Sequence, residues 1–182
     1  MDTVLRLANR SDIPALQELI DASVRGLMGE DYTVEQIECA LQTTFTVDSQ
    51  LVEDGTYFVA EQAGEMLGCG GWSRRQTLCG GDHHAVRADA LLDPSRDAAK
   101  IRAIFVHPRH ARRGIGSLIL QTAEEAARGE GFRTLEMGAT LTGVPLYRLQ
   151  GYQVRERIEV PLRDGLSLDV IRMVKDVRER RL

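Results

Sequence analysis

The chain has 182 residues, 43% of them hydrophobic, and a formal net charge of −4 from 23 Lys and Arg against 27 Asp and Glu. That length suits one domain over 1–182 with a sizeable core, and the acidic balance argues against a nucleic-acid-binding surface. No apolar run is long enough to span a bilayer, and MDTVLRLANRSD carries no apolar leader, so a cytoplasmic protein without a membrane partner is expected.

Thr3–Leu7 alternates and reads as a first strand. Ser11 or Asp12 can cap the next helix, with Pro14 in its first turn. Ile13, Leu16, Leu19, Ile20 and Val24 keep one apolar face through Leu27, and Gly26 and Gly29 end it. Thr33 and Gln36 make a capping box for a second helix to Leu41. Tyr57–Glu61 and Met66–Trp72 read as a hairpin around Ala63-Gly64. Glycines 68, 70 and 71 weaken its second strand and allow close approach of a backbone or a ligand; Trp72 belongs to the core or to a pocket wall.

Arg74–Ala99 is irregular and long enough to be a functional loop. Asp82-His83-His84 invites a metal reading. Adjacent side chains rarely reach one ion, however, and no third ligand has a recognised spacing, so solvated histidines on a substrate-facing flap are expected and no metal. The three cysteines, Cys39, Cys69 and Cys79, are odd in number and unclustered, which argues for reduced thiols rather than a disulfide framework.

The organising stretch is Ile101–Gly129. Ile101–Val106 is apolar except for Arg102 and reads as a buried strand, stopped by His107 and Pro108. A basic loop with Arg109, Arg112 and Arg113 leads into Gly114-Ile115-Gly116-Ser117. Ile115, Leu118, Ile119, Thr122, Ala123 and Ala126 then share one helical face, and Gly129 and Gly131 supply the stop. Unpaired N–H groups at a helix start, glycines without Cβ and two arginines make an anion site suited to a phosphate or pyrophosphate. No Gly-Lys-Ser/Thr follows, and Ile119 stands where a dinucleotide fingerprint needs its third glycine.

FVHPRHARRGIGSLIL resembles the acyl-CoA-binding motif of the GCN5-related N-acetyltransferases (GNAT): Val106 and Pro108 match the strand end, and Gly114 and Gly116 match the glycines of Gln/Arg-x-x-Gly-x-Gly/Ala. The Gln/Arg position is Ala111. VPLYRLQGYQV is similar to a second segment of the family, with Tyr147, Gly151 and Tyr152 at the matching positions. The resemblance implies a mixed α/β fold, mostly antiparallel, flanked by helices, in which Ile101–Val106 and Thr134–Ala139 run parallel and splay apart. It implies that acetyl-CoA lies between them as cosubstrate, with backbone groups of Phe105 and Val106 on the pantetheine. Amides of Arg112, Arg113, Gly114, Ile115, Gly116 and Ser117 would hold the diphosphate, and Tyr147 would protonate the departing thiolate. The first two helices would line the acceptor site. Tyr32 is a candidate substrate contact there, below a plain packing role.

Arg133–Thr140 reads as a strand, Gly143–Leu149 as a short helix, and Tyr152–Val160 with Leu166–Val174 as a hairpin around Arg163-Asp164-Gly165, followed by a solvated charged tail from Lys175 to Arg181. The hairpin offers an edge for a homodimer. The base stays open among Asp97, Glu136, His83, His84 and solvent, with Glu136 also a candidate structural partner for an arginine. Acidic loop residues Asp82, Asp89 and Asp93 fit a cationic acceptor or a solvated loop equally. The implied activity is N-acetyl transfer to a small-molecule or peptide amine; an acyl-CoA sensor and a nucleotide-binding oxidoreductase are the alternatives.

Overall fold

The computed structural model describes residues 2–84, 88 and 90–177. Seven strands form one sheet in the order β1-β2-β3-β4-β5-β7-β6: β1 Val4–Leu7, β2 Tyr57–Gln62, β3 Glu65–Ser73, β4 Ala99–Val106, β5 Thr134–Thr140, β6 Gln153–Pro161 and β7 Ser167–Asp176. All neighbours are antiparallel except β4 and β5. The helices are α1 Ile13–Leu27, α2 Val34–Leu41, α3 Ser49–Glu53, α4 Ile115–Gly129 and α5 Val144–Leu149. Among the described residues no helix is long and apolar enough to cross a membrane.

Helix α1 packs on β3 and β4, and α4 covers β2, β3 and β4. Strand alternation assigns the faces. Cys69 joins the core of Leu16, Ile20, Val24, Tyr57 and Phe105, while Gly68 and Gly70 point at Ile115 and Ile119 of α4. Trp72 is core, edge-to-face with Phe132 at 5.8 Å. So the glycines of β3 admit helix α4 and the neighbouring strand, not a ligand. A Cβ on Gly70 would lie 2.7 Å from Ile104 Cγ1 and 2.8 Å from Ile119 Cγ2. Gly70→Ala is therefore expected to cost about 1–3 kcal/mol by overpacking, read as a lower midpoint in urea unfolding.

Four expectations need correction. Gly26 lies inside α1, because its missing Cβ makes room for Pro108, whose Cγ would sit 2.4 Å from that carbon. Helix α3 was not foreseen; five residues without a side-chain cap give no periodic signal. Strand β4 begins at Ala99, earlier than Ile101. Lys175 is no solvated tail residue: it ends β7 beside Asp176 and pairs with Glu124 at 2.6 Å. The remainder of that tail, 178–182, lies outside the described residues.

The long segment before β4 is tied at its base. Leu92 N donates to Arg74 O, Gln76 N to Ala90 O and Thr77 N to Ala88 O. Asp97 accepts from Asp93 N at 2.7 Å, so it shapes this loop.

Candidate active site

Strand β4 carries a bulge. Cys69 faces Phe105 and Gly71 faces Arg102, which leaves one extra residue on β4. Ala103 takes a φ of +52°, a conformation unfavourable for any side chain, and buried Tyr57 fixes it by donating its hydroxyl to Ala103 O at 3.0 Å. The bulge turns β4 away from β5. Parallel pairing stops after Ala99↔Leu135 and Lys100↔Glu136, and beyond this the strands splay.

Side chains mark the same point. Glu136 pairs with Lys100 and, at 2.9 Å, with Arg172. Burial alone would raise its pKa; the two cations override that and hold the carboxyl below the usual range. Glu136 is thus the arginine partner foreseen as one of its two roles, and does not line the cleft. A depressed folded pKa means its stabilising effect is present above the unfolded value near 4.5 and lost as pH falls through the folded one. Thermal melts from pH 7 down to pH 3 should show a loss that is smaller in Glu136→Gln.

The cleft between the splayed strands encloses about 680 Å³, its open mouth included. One wall is Ile101–Phe105, another Met137, Gly138 and Thr140, with Tyr147 and Val170 beside them. Met28, Thr44–Thr46 and Leu78–Gly81 close the far side. His107 N donates to Leu67 O, so antiparallel alternation directs the N–H and C=O of Phe105 at Cys69 and those of Val106 away from β3. Phe105 lines the cleft and packs its ring edge-to-face on Phe45 at 6.0 Å.

At the end of β4 the chain turns through Pro108–His110 and becomes extended at Ala111. Arg112 (φ +62°) and Gly114 (φ +85°) are left-handed, and Gly114 is the N-cap of α4. No side chain caps this helix, so the N–H groups of Ile115, Gly116 and Ser117 belong to an open first turn. A Cβ on Gly114 would meet nothing within 4 Å, so the loop is open above that backbone. Arg112 and Arg113 are exposed beside it. Glu65 steadies the loop through Arg109 at 3.4 Å and His110 at 3.2 Å. Backbone amides and open space there fit a diphosphate without any side-chain ligand.

Tyr147 on α5 lies against Tyr152 at 6.0 Å, edge to face, and lines the cleft. Burial pushes its pKa up, so the phenol keeps its proton. No protein group bonds its hydroxyl among the described residues. Tyr32 is structural: it donates to Asp169 O at 2.6 Å and accepts from Leu141 N at 2.8 Å. His83 is exposed and His84 packs on Gly80; neither lines the cleft. Asp82 accepts from Ser49 N at 3.0 Å and Asp93 accepts from Ser95, so both organise loops, and Asp89 lies outside the described residues.

Sequence reasoning missed the far wall. Arg102 is 4% exposed and donates to Asp48 at 2.8 Å and to Thr77 O at 2.8 Å; it also bonds Gly80 O. Gly81 N donates to Thr44 O and Asp82 N to Val47 O, both at 3.0 Å. Two irregular segments thereby become one wall. The only signal was a charged residue inside an apolar run.

A split mixed sheet, an uncapped helix start after β4 and a protonated tyrosine in the cleft wall make up the site. A sequence model of the acetyltransferase (GNAT) family matches residues 22–152, and the chain belongs to that family. Its fold is similar to a GCN5-related N-acetyltransferase from Rhodopseudomonas palustris, with a TM-score of 0.71, 20% identity, and 97% of this chain and 96% of that one covered. It is also similar to the PaiA N-acetyltransferase from Thermoplasma acidophilum in complex with coenzyme A, at TM-score 0.68, 13% identity and 97% and 99% coverage. A third likeness is YncA from Salmonella typhimurium, a putative acetyltransferase with its cofactor acetyl-CoA, at TM-score 0.63, 20% identity and 100% and 98% coverage.

Proposed function

We propose that this protein transfers an acetyl group from acetyl-CoA to a primary amine of a small molecule or peptide by direct attack. The observation that carries it is the gap between β4 and β5, which opens beyond Lys100 and Glu136 with Tyr147 in its wall, together with the uncapped start of α4 in the loop that follows β4. Acetyl-CoA supplies an activated thioester. Backbone groups of Val106 receive the extended pantetheine like an added strand. Amides of Arg112, Arg113, Gly114, Ile115, Gly116 and Ser117 hold the diphosphate, and the two guanidinium groups add positive charge. Phe105 shapes the wall. When the amine nitrogen bonds to the acetyl carbon and the carbon–sulfur bond breaks, Tyr147 gives its proton to the departing sulfur. The proton lost by the nitrogen restores the phenol through solvent, so products are an N-acetyl amine and free thiol.

Two measurements test this. Acetyl-CoA at 100 times its Kd should stabilise the protein by about 2.7 kcal/mol in thermal melts, and thiol should be released only when an amine is present. One observation favours a second reading, an acyl-CoA sensor: no carboxylate or histidine lines the cleft among the described residues. Stabilisation without thiol release across a broad amine panel would select the sensor; no stabilisation at all would defeat both.

A further inference from the structure

His110 stands between two groups with opposite needs. Arg113 Nη1 lies 3.2 Å from its Nδ1, and Glu65 Oε1 lies 3.2 Å from its Nε2. A guanidinium only donates, so Nδ1 accepts and carries no proton. The proton is therefore on Nε2, donated to Glu65, and the ring is neutral. The ring is 15% exposed, so it is held in place, while Arg113 is exposed and directly precedes Gly114, the N-cap of α4.

The neighbouring ring is arranged differently. His107 Nδ1 accepts from Arg109 N at 3.2 Å and caps the turn over Pro108–His110. Burial first, then Arg109 and His110, pushes its pKa below the usual histidine value, so His107 keeps this bond into mild acid. The two rings lie 5.8 Å apart, which discourages a charge on both. Glu65 stays an anion: the His110 bond foremost, with Arg109 and His107, holds its carboxyl below the usual range. Helix α1 meets the turn at Gly26 against Pro108, and its cation there, Arg25, is committed to Glu38 and Asp21. Of the two rings, His110 thus has a carboxylate ready for a positive charge and a guanidinium that must leave when the charge arrives.

We propose that His110 is a positioning residue for the acyl-CoA diphosphate and acts through Arg113: neutral, it retains the guanidinium; protonated, it turns a donor against Arg113 and releases that cation to the anion at the start of α4. This rests on the acetyl-CoA reading above and adds a proton dependence to the same site. Protonation brings one more positive charge into the loop, facing Glu65, and frees a second. A diphosphate gains from both. Binding therefore favours proton uptake and, reciprocally, acid favours binding. Affinity is greatest where His110 is protonated and falls as pH rises. The loop charges are exposed, so salt weakens the effect.

Titration calorimetry with dephospho-CoA tests it. That ligand keeps the diphosphate and lacks the 3′-phosphate monoester, which would itself titrate near pH 6. At low salt its Kd should be about tenfold lower at pH 5.5 than at pH 8, an ordinary coupling between two sites, and the ratio should shrink in 0.5 M salt. At pH 6.5, titrations in two buffers of different ionisation heat should show net proton uptake. His110→Gln keeps an amide oxygen for Arg113 but cannot become charged. It should bind at every pH as the parent does at pH 8 and take up no proton. Glu65→Gln should move the transition to lower pH, and His107→Asn should keep the ratio. A role confined to holding the loop's shape would change Kd equally at all pH values. A parent Kd that is flat or higher at pH 5.5, a ratio that survives in His110→Gln, or its loss in His107→Asn would overturn the inference while acetyl transfer stands. Acetyl-CoA that fails to stabilise the protein at any pH would instead remove the reading beneath it.

Discussion

Arg102→Ala is expected to destabilise the protein by about 3–5 kcal/mol, the range for removing one partner of a buried ion pair. Arg102 and Asp48 are 4% and 2% exposed, so the substitution takes the guanidinium from a buried carboxylate and donors from Thr77 O and Gly80 O. At about 2–4 °C per kcal/mol for a chain of this size, Tm should drop by on the order of 10 °C. The double variant Arg102→Leu/Asp48→Leu should recover much of that stability, since a hydrophobic replacement of a whole buried pair is often neutral. It should not recover the cleft, because the segments around Thr44 and Gly80 lose their common clamp. A single variant as stable as the parent would show that the pair contributes little.

Tyr147→Phe is expected to reduce kcat by about 100- to 10,000-fold, the span for a lost general acid, with acetyl-CoA affinity nearly intact. The ring stays in its edge-to-face contact with Tyr152, and the hydroxyl that disappears bonds no described protein group, so Tm should hardly move. Because burial raises the phenol's pKa, the parent should show no alkaline loss of activity from this group below about pH 10. Normal turnover by the variant would end the acid assignment.

The central strand, glycine loop and helix were legible because three independent patterns coincide there: a β-branched apolar run, Pro108 as a stop, and one apolar face on the helix from Ile115 to Ala126. The capping box at Thr33 and Gln36 forms as the spacing predicts. Other features left no such trace. Ala103 adopts a left-handed conformation with a side chain that gives no hint of it. The bulge arises from the register of β3 against β4 and the Tyr57 hydroxyl, both long-range. The far wall of the cleft is assembled from residues 44–48 and 77–82, brought together by Arg102 from a third segment, so no local window contains it.

A strand border that offers unpaired amides and carbonyls is normally a hazard, since a second molecule can extend the sheet and begin an aggregate. Here the break after Lys100 creates such a border in the interior of the sheet, with β5, α5 and the loop walls standing around it. That border therefore faces the cleft inside the fold, away from the outer rims of the sheet at β1 and β6 where a second chain could add a strand.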